Sequence, residues 1–250
     1  MASGSFLVFR KLEQNVTAWN KMLEDESKAR NIPVSDPLTS PLAAKLMGRW
    51  QSGMFITVPI PMSASLMIVL GCPVMLSPDK DDTTKAFQNT FDFGGQSIKN
   101  TNDSICPLGS HIRKTDPRRD LKSNTFDKTA RILRRGIPYG QEYTGPADTN
   151  SRGLLFACYQ SNLDSGFRFI QRFWANSPSF PTSGAGIDLM MGQTASSANV
   201  PMNISDIAGK TTPIQVSGEN PFVKCRGREY FFMPTLTALM NSLSKSAAKL

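Results

Sequence analysis

Residues 106–118 read CPLGSHIRKTDPR and contain His111, the only histidine among the 250 residues of the chain. A second arginine-rich stretch, RRGIPYG, follows at residues 134–140 and carries the Gly and Pro of a turn. A lone imidazole flanked by arginines suits an axial ligand of a metal centre, because neutral imidazole is a common metal ligand. It also suits a core or surface histidine with satisfied hydrogen bonds, so these two stretches alone leave both interpretations open.

The composition describes a basic chain that can bury a core. Its net charge is +8, from 28 Lys and Arg against 20 Asp and Glu, and 40% of its residues are hydrophobic. The basic residues form no run of five or more, which favours a basic surface over a polyanion-binding tract, so we expect no nucleic-acid partner. A zinc site and a disulfide framework find no support, because no CxxC pair links the four cysteines, Cys72, Cys106, Cys158 and Cys225.

Residues 54–71 are dominated by Phe, Ile, Val, Leu and Met, and no charge occurs between Arg49 and Asp79. This length approaches the roughly 20 apolar residues that a membrane span needs. Pro59 and Pro61 would interrupt a helix there, so we do not expect a membrane span. We interpret residues 54–71 as an apolar insertion in a single domain of residues 1–250. The first residues lack a secretory signal with a basic start and a long apolar core, and the compartment is left open.

The hydrophobic pattern predicts two strand–helix units. Residues 5–12 are rich in β-formers, and residues 13–30 then show apolar side chains at helical spacing: Val16, Trp19, Met22 and Leu23. Residues 153–160, GLLFACYQ, form a continuous apolar run that is typical of a strand buried on both faces. Helical spacing over residues 167–174 follows this strand.

The rest of the pattern completes an α+β assignment. A short helix over residues 42–50 closes near Gly48, and residues 228–234 predict a last strand before a terminal helix or frayed tail. Residues 177–218 are rich in Ser, Gly and Pro and predict mainly loop. Strands and helices in this order favour the α+β class.

Four blocks together resemble the dye-decolourising peroxidase family of the fungal type: residues 5–14, 106–118, 134–140 and 153–160. They stand in the family's order over nearly the whole chain. The resemblance implies a ferredoxin-like α+β fold, with this chain as the second, haem-ligating half of a dimeric α/β barrel-like peroxidase. It implies haem b as cofactor, with hydrogen peroxide and small aromatic reductants such as dyes and phenols as partners. Members of this type are often secreted, and the oligomeric state is left open.

The resemblance also implies roles for individual residues. His111 matches the proximal ligand of the haem iron, and Asp188 in Gly-Ile-Asp matches the acidic acceptor of its other ring nitrogen, which strengthens the imidazole as a donor. Arg134 matches the distal arginine that stabilises charge on the leaving oxygen, with Arg135 as the fallback. The alternative for Asp188 is a turn or helix-capping carboxylate.

Four further residues match positions around the cofactor. Arg118, and less directly Arg113, correspond to arginines near the haem propionates, where a guanidinium fork suits a carboxylate; an ordinary solvated face is the alternative. Leu154 and Phe156 are two apart on one strand and therefore share a face, and they match the apolar wall above the haem. Core packing explains these two almost as well.

The sequence departs from the family in one catalytic feature. Full members contain an additional half with a Gly-Phe-x-Asp-Gly motif, whose aspartate moves the peroxide proton. No Gly-x-x-Asp-Gly occurs in this sequence. A positioned acid–base group typically contributes about 10² to 10⁴ in rate. A catalytically impaired haem-binding half-domain is therefore the alternative, and a basic interaction module or membrane-associated protein is a third possibility.

Overall fold

The computed structural model describes residues 4–32, 40–49, 106–121, 129–193, 200–205, 211–216 and 222–243. The insertion predicted at residues 54–71 lies outside these ranges. Contacts divide the chain into two units. The sheet unit comprises residues 1–15, 129–170 and 223–250, and the helix unit comprises residues 16–128 and 171–222. The expectation of a single domain over residues 1–250 stays a prediction.

The described residues contain seven strands and five helices. The strands are β1 Ser5–Gln14, β2 Leu133–Arg134, β3 Ile137–Tyr139, β4 Gly153–Gln160, β5 Val200–Ser205, β6 Thr211–Val216 and β7 Val223–Met233. The helices are α1 Val16–Ala29, α2 Pro41–Met47, α3 His111–Thr115, α4 Phe167–Phe169 and α5 Leu236–Ala238. A π-helical turn continues α4 over Ile170–Ala175 and α5 over Leu239–Leu243. The predicted α+β class is confirmed.

The sheet unit is organised around a five-stranded antiparallel sheet. Its strand order is β2-β4-β1-β7, and β3 also pairs with β4. β1 lies between β4 and β7, so that Val8 is opposite both Cys158 and Tyr230. Directly opposite residues of an antiparallel pair project to the same face. The register therefore fixes which side chains of the three long strands share a face.

One face of this sheet is better covered than the other. On the first face Val8 and Cys158 are buried, and Phe156 packs against Phe167 of α4 with 5.4 Å between the ring centroids. On the second face Leu155 is only half-buried. The prediction that residues 153–160 are buried on both faces is therefore wrong for the described part of the chain. The continuous apolar sequence indicated a central strand, but Leu154, Leu155 and Phe156 are only half-buried in it.

The helix unit has a core formed by α1, α2 and two later segments. Leu42 and Leu46 of α2 pack with Leu189 and Ile214, and partly buried side chains join them: Trp19, Met22, Leu23 and Ile32. This confirms the predicted apolar face of α1. The hydroxyl of Ser40 accepts from the Ala43 amide at the start of α2, and Gly48 ends the helix with φ of 89°.

Two segments differ from the sequence-based expectation. β5 and β6 form an antiparallel hairpin within the stretch predicted to be loop. The abundance of Ser, Gly and Pro in residues 177–218 hid two short β-forming runs, one of which supplies the buried Ile214. α3 was also missed, because five residues are too few to show a helical period. Within the described ranges, no helix is both long and apolar enough to span a membrane.

Replacing Leu46 with Ala is expected to destabilise the helix unit by about 2–5 kcal/mol, because the side chain is 1% exposed and its removal leaves a cavity. Urea unfolding followed by circular dichroism measures this change. The control is Lys21→Ala on the solvent side of α1, where the side chain is 74% exposed and the unfolding midpoint should not move. Equal midpoints for Leu46→Ala and the parent protein would contradict the assigned core.

Candidate functional site

His111 is the first residue of α3 in the helix unit. The Ser110 amide donates to the Pro107 carbonyl at 2.9 Å, which closes the turn before the helix, and the Lys114 amide donates to the Ser110 carbonyl at 2.9 Å. The Thr115 hydroxyl donates to the His111 carbonyl at 2.8 Å. These bonds fix the backbone of a helix that is too short to be stable by itself.

Asp188 is the hydrogen-bond partner of His111. Its Oδ2 lies 2.7 Å from Nδ1 of the imidazole. The carboxylate is fully buried, whereas the imidazole side chain is 20% exposed. An ionised carboxylate can only accept, so Nδ1 carries the proton and Nε2 keeps its lone pair. No hydrogen bond to Nε2 is found among the described residues. The contact therefore selects the tautomer in which Nε2 can bind a metal.

The second oxygen of Asp188 is held by the backbone. Oδ1 accepts from the amides of Met190 at 2.8 Å and Met191 at 3.2 Å. The Asp188 amide donates to the Ala175 carbonyl at 3.0 Å. A buried carboxylate is tolerated when its oxygens are hydrogen-bonded. Both oxygens of Asp188 have donors, which fixes the direction in which Oδ2 meets His111. Asp188 therefore has the turn role that the sequence left open, in addition to its contact with the imidazole of His111.

Arg113 is buried and engaged by protein groups. Its Nε donates to Asp120 Oδ2 at 2.6 Å and its second terminal nitrogen donates to Asp120 Oδ1 at 2.9 Å. The remaining terminal nitrogen donates to the Cys106 carbonyl. The side chain is only 1% exposed. This geometry gives Arg113 a role in joining the two ends of the residue 106–120 segment.

Arg118 adopts an unusual backbone conformation at the start of the 3₁₀ turn Arg118–Asp120. Its φ is +52°, in the left-handed region that side chains other than glycine rarely occupy. Its guanidinium lies 3.5 Å from Asp116 Oδ2. Such strain persists only where the surrounding structure determines it, and it is frequent at ligand-binding positions.

Cys106 and Gly48 pack around α3. Burial raises the pKa of the Cys106 thiol to about 11, and Ser110 Oγ lies 2.9 Å from its sulfur. Cys106 is therefore a packing residue held as a thiol. A Cβ on Gly48 would lie 3.1 Å from the Cβ of Ile112, so the end of α2 approaches α3 closely because residue 48 has no side chain.

Arg134, Leu154 and Phe156 belong to the sheet unit and share one sheet face. Arg134 is directly opposite Cys158, and Cys158 lies two and four residues after Phe156 and Leu154 along β4, so all four side chains project to the same face. A Cβ on Gly136 would lie 3.1 Å from Leu154, so the turn after β2 packs directly against that leucine. The turn and the apolar pair that the sequence singled out are therefore neighbours.

Arg135 is oriented differently from Arg134. Its amide donates to the Ala157 carbonyl at 2.8 Å, and its side chain is exposed and donates to the Arg134 carbonyl at 3.2 Å. Along an extended backbone, successive residues project to opposite sides. Of the two arginines, Arg134 is the one that shares a face with Leu154 and Phe156.

The sequence analysis did not single out two charged residues, Arg10 in the sheet unit and Lys114 in the helix unit. Arg10 of β1 is opposite Phe156 in the register, and its guanidinium lies 4.5 Å from the centroid of the Phe167 ring. The alternation of side chains along β1, aligned with that along β4, could have placed Arg10 on the same face as Phe156. Lys114 is fully buried within the helix unit. No sequence signal distinguishes it from the solvent-exposed lysines that are usual in proteins.

The donor set of the helix unit fits haem better than a metal ion held by protein alone. In the described part of the chain, no group of three or more His, Cys, Asp and Glu side chains could hold a metal ion. Haem brings its own equatorial nitrogens and needs only an axial protein ligand, such as one imidazole. His111, with Nδ1 bound to a carboxylate, has the geometry that such a ligand needs.

Comparison with known proteins gives consistent matches. The family model described as Dyp-type peroxidase, C-terminal, matches residues 72–180. Peroxidase 2 of Mycetinis scorodonius is 36% identical to the chain over 262 residues, covering 96% of this chain and 46% of that protein. A dye-decolorizing peroxidase of Exidia glandulosa is 36% identical over 257 residues, covering 98% and 46%. The chain thus spans about half the length of the curated relatives that it matches.

Solved structures agree with these sequence matches. An ancestral D-type dye decolorizing peroxidase superposes with a TM-score of 0.71 at 38% identity, covering 96% of this chain and 51% of that chain. A variant of the dye-decolorizing peroxidase from Pleurotus ostreatus superposes with a TM-score of 0.73 at 34% identity, covering 95% and 50%. The ferredoxin-like α+β fold expected from the sequence is confirmed. The chain is thus related to the fungal Dyp-type peroxidases over nearly its whole length, and residues 72–180 match the C-terminal part of that family.

Proposed function

We propose that this chain forms the haem-binding part of a peroxidase that uses hydrogen peroxide to oxidise dyes and phenolic compounds. The observation that carries the proposal is the 2.7 Å contact between His111 Nδ1 and the buried Asp188 carboxylate. When bound, haem b supplies the iron that exchanges electrons with peroxide and with the aromatic reductant. The similarity to dye-decolorizing peroxidases supports this reaction. Those relatives are about twice as long as this chain.

His111 would hold the iron through Nε2, and Asp188 would set how strongly it does so. A carboxylate that accepts the Nδ1 proton fixes the tautomer and ring orientation and raises the basicity of the ligand. Because Asp188 is buried and its other oxygen is bound by two amides, it cannot turn away to solvent. The ligand is therefore preorganised before any cofactor enters.

Arg134 would act on peroxide through charge alone. A guanidinium stays protonated, so it cannot remove a proton, but it stabilises negative charge that develops on the departing oxygen. Leu154 and Phe156, on the same sheet face, supply an apolar wall that excludes water. Exclusion of water strengthens the interaction between the arginine and the developing charge.

The two arginines predicted near the propionates differ in what supports them. Arg118 remains the candidate for a propionate partner, because its left-handed backbone places it under strain of the kind found at binding sites. Arg113 is better described as a structural arginine, since Asp120 and the Cys106 carbonyl use all three of its nitrogens. We therefore propose Arg118 rather than Arg113 as the propionate-binding arginine.

Titration of the purified protein with haem tests the proposal. The parent protein is expected to give a saturable Soret band, and His111→Ala is expected to bind at least about tenfold more weakly, because the axial ligand is lost. Cys106→Ser is the control, since it alters a neighbouring sulfur but keeps the hydrogen-bonding position beside Ser110. Identical spectra and affinities for the parent and His111→Ala would exclude His111 as the ligand. Haem uptake without peroxide turnover would select the impaired half-domain instead.

The tautomer of His111 can be read directly, because the chain has no other histidine. In haem-free protein at about pH 8, where an ordinary imidazole is neutral, nitrogen-15 NMR should show the proton on Nδ1. In Asp188→Asn the amide can also donate, and the Nδ1–H preference should weaken. The Lys21→Met variant, which changes an exposed side chain of α1, should keep the parent spectrum. A parent protein with its proton on Nε2 would contradict the site geometry.

Arg134→Leu is expected to slow peroxide-dependent oxidation of a phenolic reductant by about 10² to 10³, the usual effect of removing a preorganised charge stabiliser. Stopped-flow rates should be compared at equal haem occupancy, so that cofactor loss is not counted. Arg135→Leu is the matched control, because it removes the same charge from a side chain that is directed elsewhere. Equal losses in the two variants would contradict the choice of Arg134.

A further inference from the structure

Lys114 is a buried lysine that the proposed reaction does not use. It lies three residues after His111 in α3 and is 0% exposed. A lysine is almost never fully buried unless its charge is compensated, because removing an ammonium from water is costly. Its presence beside the candidate ligand therefore calls for a specific set of partners.

All three protons of the Lys114 ammonium have an acceptor. Nζ donates to the carbonyls of Ser177 at 2.7 Å, Phe180 at 2.6 Å and Gly186 at 2.6 Å. It also lies 6.0 Å from the centroid of the Phe180 ring, whose negative face attracts a cation. Burial lowers the pKa of Lys114 to about 8, and the charge of Asp188 opposes that shift, so the three-donor form prevails at neutral pH.

The three carbonyls belong to the segment that delivers Asp188. Gly186 is two residues before Asp188 and has φ of 77°. Its amide donates to the Pro178 carbonyl at 3.1 Å, and the Phe180 ring stacks on Trp174 at a centroid distance of 5.1 Å. Residues 177–188 thus form a folded loop, and Lys114 binds it at both ends.

α3 and this loop are therefore joined at two points. His111 and Lys114 are three residues apart on a helix, so they are neighbours on its surface, and they contact Asp188 and Gly186 respectively. A single hydrogen bond fixes a distance but leaves rotation about the bond. The second attachment limits how α3 can turn relative to the loop that carries Asp188, whose carboxylate is oriented within that loop by the Met190 and Met191 amides.

We propose that Lys114 is a positioning residue for the axial ligand: by binding the carbonyls of residues 177, 180 and 186 it holds Asp188 against Nδ1 of His111. The inference rests on the proposed function, because Lys114 would affect haem binding only through His111. Lys114 touches neither the ligand's iron-binding nitrogen nor any reacting atom. It acts on the orientation of Asp188, and so on the donor strength of the imidazole.

The test compares Lys114→Met with the parent in the haem-loaded protein. Methionine fills a similar volume without a donor, so the loop loses three bonds. Haem affinity should fall by about 10-fold to 100-fold, the usual range for outer-shell partners of a metal ligand. The iron–histidine stretching frequency of the reduced protein, measured by resonance Raman, should shift downward because the imidazole donates less strongly. Lys114→Gln, which keeps two N–H donors, should give an intermediate shift and serves if Lys114→Met folds poorly.

The Asp188→Asn background separates positioning from simple packing. If Lys114 acts through Asp188, adding Lys114→Met to Asp188→Asn should produce no further shift in the iron–histidine frequency. Additive shifts, or a parent-like frequency in both Lys114 variants, would overturn the inference. Lys21→Met controls for the loss of one positive charge and should leave the frequency unchanged.

Failure of the two proposals can be told apart. If the parent protein takes up no haem, the proposed function fails, and the His111 tautomer in haem-free Lys114→Met then decides the positioning role. A weakened Nδ1–H preference there would support that role, and an unchanged preference would overturn it. If the parent binds haem and the Lys114 variants match it, only the positioning role fails.

Discussion

The hydrogen bond between His111 Nδ1 and Asp188 Oδ2 is the interaction on which the helix unit's chemistry depends. It joins residues that are 77 positions apart, and one partner is a carboxylate with no exposure to solvent. Leaving a buried acceptor without its donor costs about 1–3 kcal/mol, and more for a charged group. The imidazole supplies a donor to the buried carboxylate, and the carboxylate fixes the tautomer of the imidazole. The contact that satisfies a buried charge is also the one that fixes the tautomer of the imidazole.

The helix α3 also carries two buried basic side chains, Arg113 and Lys114. Lys114 brings a positive charge into the same interior, and its protons are all taken by backbone carbonyls of the loop that carries Asp188. Arg113 is equally buried but is neutralised by Asp120 instead. Two adjacent basic residues of one short helix thus hold different parts of the chain. The helix α3, which is too short to be stable alone, is thereby attached both to Asp120 and to the loop of residues 177–188.

The sequence predicted best what depends on period and on short motifs. The pattern of β-forming and apolar residues predicted the strands at residues 5–12 and 153–160 and the apolar face of α1, and the family resemblance pointed to Asp188. The burial of Arg113 and Lys114 could not be predicted, because burial of a charged side chain is decided by the partners that the fold brings to it. The β5–β6 hairpin was hidden by the composition of its neighbours, and the shared face of Arg134 and Phe156 required the strand register.

The three hydrogen bonds of Lys114 all go to main-chain oxygens, so they do not depend on which side chains the loop carries. Carbonyl oxygens are present whatever the side chain, so Ser177 and Phe180 can be exchanged for other residues without removing the acceptors. Gly186 is different, because its φ of 77° is one that side chains rarely adopt. Mutational freedom in the loop is therefore limited at the position nearest Asp188 and wider at the positions before it.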